Sequence, residues 1–118
     1  CIKTKFGGYK DRALFAVFDG HGTYGDHCAN FCAEHLHNFV EKELEKYSKS
    51  GKIDVKKALK SAFIKTNEQL HRNNRIRDDL SGTTCILVLI IGKVMHIANI
   101  GDSRAIVAKQ DHANKDKL

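Results

Sequence analysis

Long apolar runs are missing from this chain. The longest, Cys85 to Ile91, has seven residues, far short of the ~18 needed to span a bilayer, so no membrane segment is expected and the run reads as a buried strand. No apolar h-region follows Lys3, Thr4 and Lys5, so no signal peptide is visible. The first residue is Cys1 rather than Met, and the sequence is expected to start inside a longer protein. Internal repeats, low-complexity linkers, a GxGxxG turn and a P-loop are all lacking, which removes support for nucleotide-binding and oxidoreductase readings. Cysteine is scarce: Cys1, Cys28, Cys32 and Cys85 are the only four. Thiols so few, set in apolar patterns, fit a reduced intracellular setting, cytoplasmic or nuclear. Cys28, Cys32 and His35 have residue types that ligate zinc, but they are expected on one apolar helix face with no second cluster to close a tetrahedron; core packing is the better reading.

The chain has 118 residues, 42% hydrophobic and 29% charged, enough for one small core and ordinary for a globular protein. Twenty Lys and Arg against fourteen Asp and Glu give a net charge of +6. Much of the excess lies between residues 42 and 60 and at Arg72, Arg75 and Arg77. Aromatics are not interleaved with these charges and no nucleic-acid motif occurs, so a solvated helix face is expected and no nucleic-acid partner.

Periodicity divides the chain. Residues 13–18 (ALFAVF) predict a buried strand ended by Asp19-Gly20. From Asp26 to Tyr47, apolar residues at Cys28, Phe31, Cys32, Leu36, Phe39, Val40, Leu44 and Tyr47 predict an amphipathic helix, broken over 48–51. Asp54 is a candidate N-cap for a second helix whose stripe is Val55, Leu59, Ala62, Phe63 and Leu70, ending near Asn73-Asn74. Residues 85–91, 94–100 and 104–109 predict three consecutive strands, with tight turns at Gly92-Lys93 and Gly101-Asp102. Segregated helices and antiparallel strands indicate an α+β fold.

Three short motifs stand out. Asp19-Gly20-His21-Gly22 closes the first strand. As an isolated tetrapeptide it is a turn. A carboxylate at the mouth of an apolar strand, however, is costly to desolvate without a cation or donors, and flanking glycines let backbone approach a ligand. Ser81-Gly82-Thr83-Thr84 reads alone as a capped strand start. The third motif, residues 99–104 (NIGDSR), reads alone as a hairpin with a local Asp102–Arg104 ion pair.

Taken together, DGHG, SGTT and GDSR occur in the order and contexts that resemble the protein phosphatase 2C family. The resemblance extends to ALFAVFDGHG, TNEQLH, DDLSGTT and HIANIGDSRAIVA, nearly the whole chain, and is nearest to plant and protist members. It implies that residues 1–118 are the N-terminal part of a catalytic domain truncated at both ends. It also implies a four-layer αββα sandwich, two antiparallel sheets flanked by helices. The implied activity is hydrolysis of phosphoserine and phosphothreonine in protein substrates by a dinuclear Mg²⁺ or Mn²⁺ centre with a metal-activated water. By that resemblance Asp19 is the carboxylate bridging both ions, Gly20 a ligand through its carbonyl, His21 the general acid, and Asp102 part of a further, weaker metal site. Residues 81–84 match a structural segment.

The implied chemistry is coherent. All-oxygen ligands select hard cations over zinc. A histidine protonating the leaving alkoxide is typically worth ~10²–10⁴ in rate. No nucleophilic cysteine is required.

Departures from the family pattern are equally visible. Thr23-Tyr24-Gly25 stands where another glycine usually follows DGHG. Lys3, Lys5, Asp11 and Arg12 do not form the upstream phosphate-binding motif. Two downstream metal-binding aspartates have no counterpart after Arg104, since Asp111 and Asp116 lie in a polar tail that reads as a loop cut short. The isolated chain is therefore expected to be inactive. The alternative function is a catalytically dead, phosphatase-like protein-binding module.

Overall fold

A computed structural model describes residues 1–111. Its centre is a four-stranded antiparallel sheet in the order β1-β2-β7-β8. The strands are β1 (Ile2–Thr4), β2 (Arg12–Val17), β7 (Cys85–Ile91) and β8 (Val94–Ile100), and the two-residue strands β3 to β6 lie between them in sequence. Between β2 and β7 the chain builds α1 (Gly25–Lys46) and α2 (Val55–Arg72). The fold is α+β.

Strand alternation decides which face the helices cover. Cross-strand neighbours Leu14, Leu89 and His96, and Ala16, Leu87 and Ala98, share one face. Leu14, Ala16, Leu87 and Leu89 are buried there against Leu36, Val40 and Leu44 of α1 and Ala58, Leu59 and Ala62 of α2. Each fully buried leucine contributes about 1.5–3 kcal/mol, so this seam accounts for much of the stability. A second, smaller cluster of Cys28, Cys32 and Leu70 closes the end nearer the Asp19 turn.

The helices form an antiparallel hairpin. Asp54 caps α2, its carboxylate accepting the Lys57 N–H at 3.1 Å. Where the sequence indicated only a break, β4 (Ser48–Lys49) pairs with β5 (Lys52–Ile53). Ser50 and Gly51, at φ 52° and 76°, make the intervening turn. Two consecutive positive φ values are what a type I′ hairpin requires. A half-buried ion pair ties the helices together: Lys65 of α2 donates to Glu43 of α1, which is only 3% exposed.

The opposite face of the sheet is left uncovered by the described residues. Ile2, Phe15, Val88 and Ile97 form one cross-strand row on it, and Ala13, Ile90 and Met95 another. Ile2, Phe15, Met95 and Ile97 are exposed. One helical layer and one sheet of the expected sandwich are thus present, and the second sheet and its helices are not among the described residues. Along β8, a groove of about 620 Å³ runs beside α2, floored by Leu59, Phe63 and Ala98.

The strand expected over residues 104–109 does not form. Gly101, at φ 94°, turns the chain at the end of β8, and Ser103 bonds to Thr84 rather than continuing a hairpin. An alternating or apolar segment becomes a strand only when another backbone satisfies its hydrogen bonds. Ile106 and Val107 are instead 87% and 65% exposed. No described helix is long and apolar enough to cross a membrane.

Candidate active site

Asp19 follows β2, and the chain then re-enters pairing as β3 (Gly20–His21) against β6 (Gly82–Thr83), with Gly20 opposite Thr83 and His21 opposite Gly82. This short ladder joins the DGHG and SGTT motifs. Its glycines are sterically required. A Cβ on Gly20 would lie 2.2 Å from the Gly25 carbonyl oxygen, and one on Gly82 would lie 2.9 Å from His21 Nε2. The first turn of α1 therefore rests on Gly20, and the His21 ring lies over Gly82.

Two side chains of SGTT grip the DGHG turn. Ser81 Oγ accepts the Tyr24 N–H at 3.0 Å. Thr84 Oγ1 accepts the Asp19 N–H at 3.1 Å, and the Thr84 N–H donates to the Asp19 carbonyl at 2.9 Å. Thr84 Oγ1 also lies 2.7 Å from Ser103 Oγ, beside Asp102. The three motifs, distant in sequence, thus meet at Thr84. The sequence singled out Thr84 only as part of a structural segment; its dual contact depends on β7 lying between β2 and β8, which no local pattern reveals.

Asp19, Gly20, His21 and Asp102 are all exposed. No described residue donates a hydrogen bond or forms an ion pair with the Asp19 carboxylate, although its main chain is fully engaged. An oxygen donor on a held main chain, its carboxylate free of protein partners, suits a hard cation. The described residues contain no group of three His, Cys, Asp or Glu side chains able to hold an ion on their own. No ion pair joins Asp102 to Arg104 among the described residues; the Asn99 side chain instead donates to the Gly101 carbonyl at 3.2 Å.

Other candidates fall outside this cluster. Arg12 starts β2, about 23 Å along the strand from Asp19 at the usual rise, and stacks on Tyr9 at 3.7 Å. Lys3 and Lys5 belong to that same far end, as does Asp11, whose carbonyl accepts the Gly92 N–H. Cys28 and Cys32 are buried, whereas His35, on the same side of α1, is exposed. Its side chain is 46% exposed and stacks on Phe31 at 4.3 Å. Burial pushes the Cys32 thiol up to about 11 and the Cys85 thiol up to about 12. Both are protonated near neutrality and poor nucleophiles. Lys56, Lys57 and Lys60 lie exposed on α2. Asp116 lies outside the described residues.

Known proteins resemble this chain along nearly its whole length. Residues 2–117 match the family profile of Protein phosphatase 2C. The chain is 42% identical over 111 residues to "Probable protein phosphatase 2C 35" of Arabidopsis thaliana, covering 94% of this chain and 30% of that protein. It is 38% identical over 101 residues to "Protein phosphatase 2C homolog 2" of Hypocrea jecorina (86% and 22%) and 36% identical over 105 residues to human "Protein phosphatase 1F" (89% and 22%). The chain spans about a quarter of the length of these relatives. With the family profile matching nearly every residue, the chain belongs to the protein phosphatase 2C family.

Proposed function

We propose that the complete protein hydrolyses phosphoserine and phosphothreonine in protein substrates and depends on Mg²⁺ or Mn²⁺. The observation that carries this reading is the meeting of DGHG, SGTT and GDSR around Thr84, with the Asp19 carboxylate left free. When bound, the divalent ions supply charge neutralisation at the phosphoryl group and acidify a water. The Asp19 carboxylate and Gly20 carbonyl are the groups that would hold them, with Asp102 serving a further, weaker position. His21, exposed at the same turn, would deliver a proton to the departing serine or threonine oxygen. Gly82 leaves room for its ring, and the β3–β6 ladder fixes its backbone. Thiol chemistry takes no part.

The complete protein, purified with Mn²⁺ and given a phosphothreonine peptide, tests the reading. Metal-dependent release of phosphate is expected, together with weakened Mn²⁺ binding by calorimetry in Asp19→Asn. Absence of turnover and unchanged Mn²⁺ affinity in that variant would favour the phosphatase-like binding module instead.

A further inference from the structure

We propose that Thr84 is a positioning residue that sets the spacing between the Asp19 turn and the Asp102 turn. This rests on the phosphatase reading for its functional consequence, while the link itself is a property of the fold. Asp19 follows β2 and Asp102 follows β8, and these strands are not neighbours. β7 lies between them. Thr84 immediately precedes β7 and is 91% buried.

Every polar and apolar part of Thr84 is used. Its N–H and Oγ1 hold the carbonyl and N–H of Asp19, at 2.9 and 3.1 Å. The same Oγ1 is 2.7 Å from Ser103 Oγ. Its methyl packs on Gly101, where an added Cβ would come within 2.8 Å of Thr84 Cγ2. One β-branched residue therefore grips both acidic turns, on one side by hydrogen bonds to the main chain and on the other by a hydroxyl pair and a methyl contact. Neither relative of threonine does both. Valine keeps the methyl contact and loses the hydroxyl; serine keeps the hydroxyl and loses the methyl.

The stiff χ1 of a β-branched side chain also holds Oγ1 and Cγ2 in fixed directions. Partners that orient first-sphere ligands commonly change metal affinity 10–100-fold when removed. Thr84 reaches Asp19 through the main chain and leaves the carboxylate free, so its loss would misdirect that group without removing a donor.

The test uses the complete protein with Thr84→Val, Thr84→Ser and Ser103→Ala. Without metal, the amide NMR signal of Asp19 in the wild-type background should shift on Ser103→Ala, and the same substitution should leave it unmoved in the Thr84→Val background. With metal, Thr84→Val should raise the Mn²⁺ dissociation constant about tenfold or more, and the Mn²⁺ concentration for half-maximal turnover in parallel. Thr84→Ser should recover most of that affinity. Ser103→Ala added to Thr84→Val should cause little further loss. An Asp19 amide insensitive to Ser103→Ala in the wild type, or Mn²⁺ affinity unchanged in folded Thr84→Val, would overturn the proposal. Equal loss in Thr84→Ser and Thr84→Val would overturn the hydroxyl's part in it. Wild-type protein that bound no Mn²⁺ would overturn the phosphatase reading and the metal role together, and the amide signals would still decide the link.

Discussion

Alanine at Gly20 would place a methyl group where the first turn of α1 already sits. The added Cβ would lie 2.2 Å from the Gly25 oxygen, 2.5 Å from its carbonyl carbon and 3.2 Å from the Asp26 nitrogen. Gly20 is not among the residues of positive φ, so backbone strain adds nothing and the whole cost is this clash. Restoring ordinary contact near 3.4 Å requires a separation of about 1 Å between two backbone segments. α1 cannot retreat freely, because Cys28, Cys32 and Leu36 anchor it in the core. β2 is equally fixed by pairing along its whole length with β7. Overpacking of this kind costs about 1–3 kcal/mol, and rigid neighbours place Gly20→Ala toward the upper end. A 1 Å misplacement of reacting groups can cost on the order of 10²-fold in rate, so turnover should fall by that order. Urea unfolding and phosphothreonine-peptide hydrolysis by the complete protein measure both effects. Gly51→Ala is the control: it carries the strain of φ 76° but meets nothing within 4 Å. Its stability should drop by about 1–2 kcal/mol, with turnover unchanged. Gly20→Ala no less stable than Gly51→Ala, and fully active, would refute the claim that α1 and the Asp19 turn are in enforced contact.

In the complete protein, His21→Ala should lower turnover of a phosphoserine peptide more than that of an aryl phosphate, whose leaving group needs less protonation; equal losses would argue for a structural histidine. The Glu43 carboxyl is held below its usual range, first by the hydrogen bond from Lys65 and next by Ser61. A lowered folded value means that its contribution is present above the ordinary glutamate value of about 4.3 and fades as pH falls through the lowered one. Glu43→Gln should therefore flatten the acid limb of a stability–pH curve. With Lys65 40% exposed, its cost near neutrality should be about 1–2 kcal/mol rather than the 3–5 of a fully buried pair; an unchanged acid limb would remove Glu43 from the account. Residues 1–118 alone should be inert with Mn²⁺ and should self-associate through the uncovered sheet face. A metal-dependent, monomeric enzyme by light scattering and peptide assay would contradict this.

Helix positions were largely legible because each helix buries one periodic face, and β7 because it is a short continuous apolar run. β7 and β8 match the expected strands, and Asp54 caps α2 as its position before the apolar stripe suggested. β1 was not anticipated, since Ile2–Thr4 is too short to show alternation and exists by pairing with β2. Residues 104–109 carried a strand-like composition but lack a partner among the described residues, and composition does not supply one. The motifs at Asp19, Ser81 and Asp102 were visible, whereas their convergence depended on strand order. Helical spacing puts His35 on the side of α1 that carries Cys28 and Cys32, but spacing alone did not show that its side chain is exposed beside the Phe31 ring.

The bond from Asp19 to Thr84 spans 65 residues of sequence. Closing a flexible loop of that length costs about 4 kcal/mol of chain entropy before any contact returns it. The α1–α2 hairpin fills most of the interval, turning a long coil into a compact insert whose two ends emerge near one another. The arrangement around Asp19 consequently has no local existence. A nascent or partly melted chain would carry the DGHG residues without their geometry, and the Asp19 amide would exchange with solvent once Thr84 leaves the turn. The site would then report whether the start of β7 is docked against the end of β2.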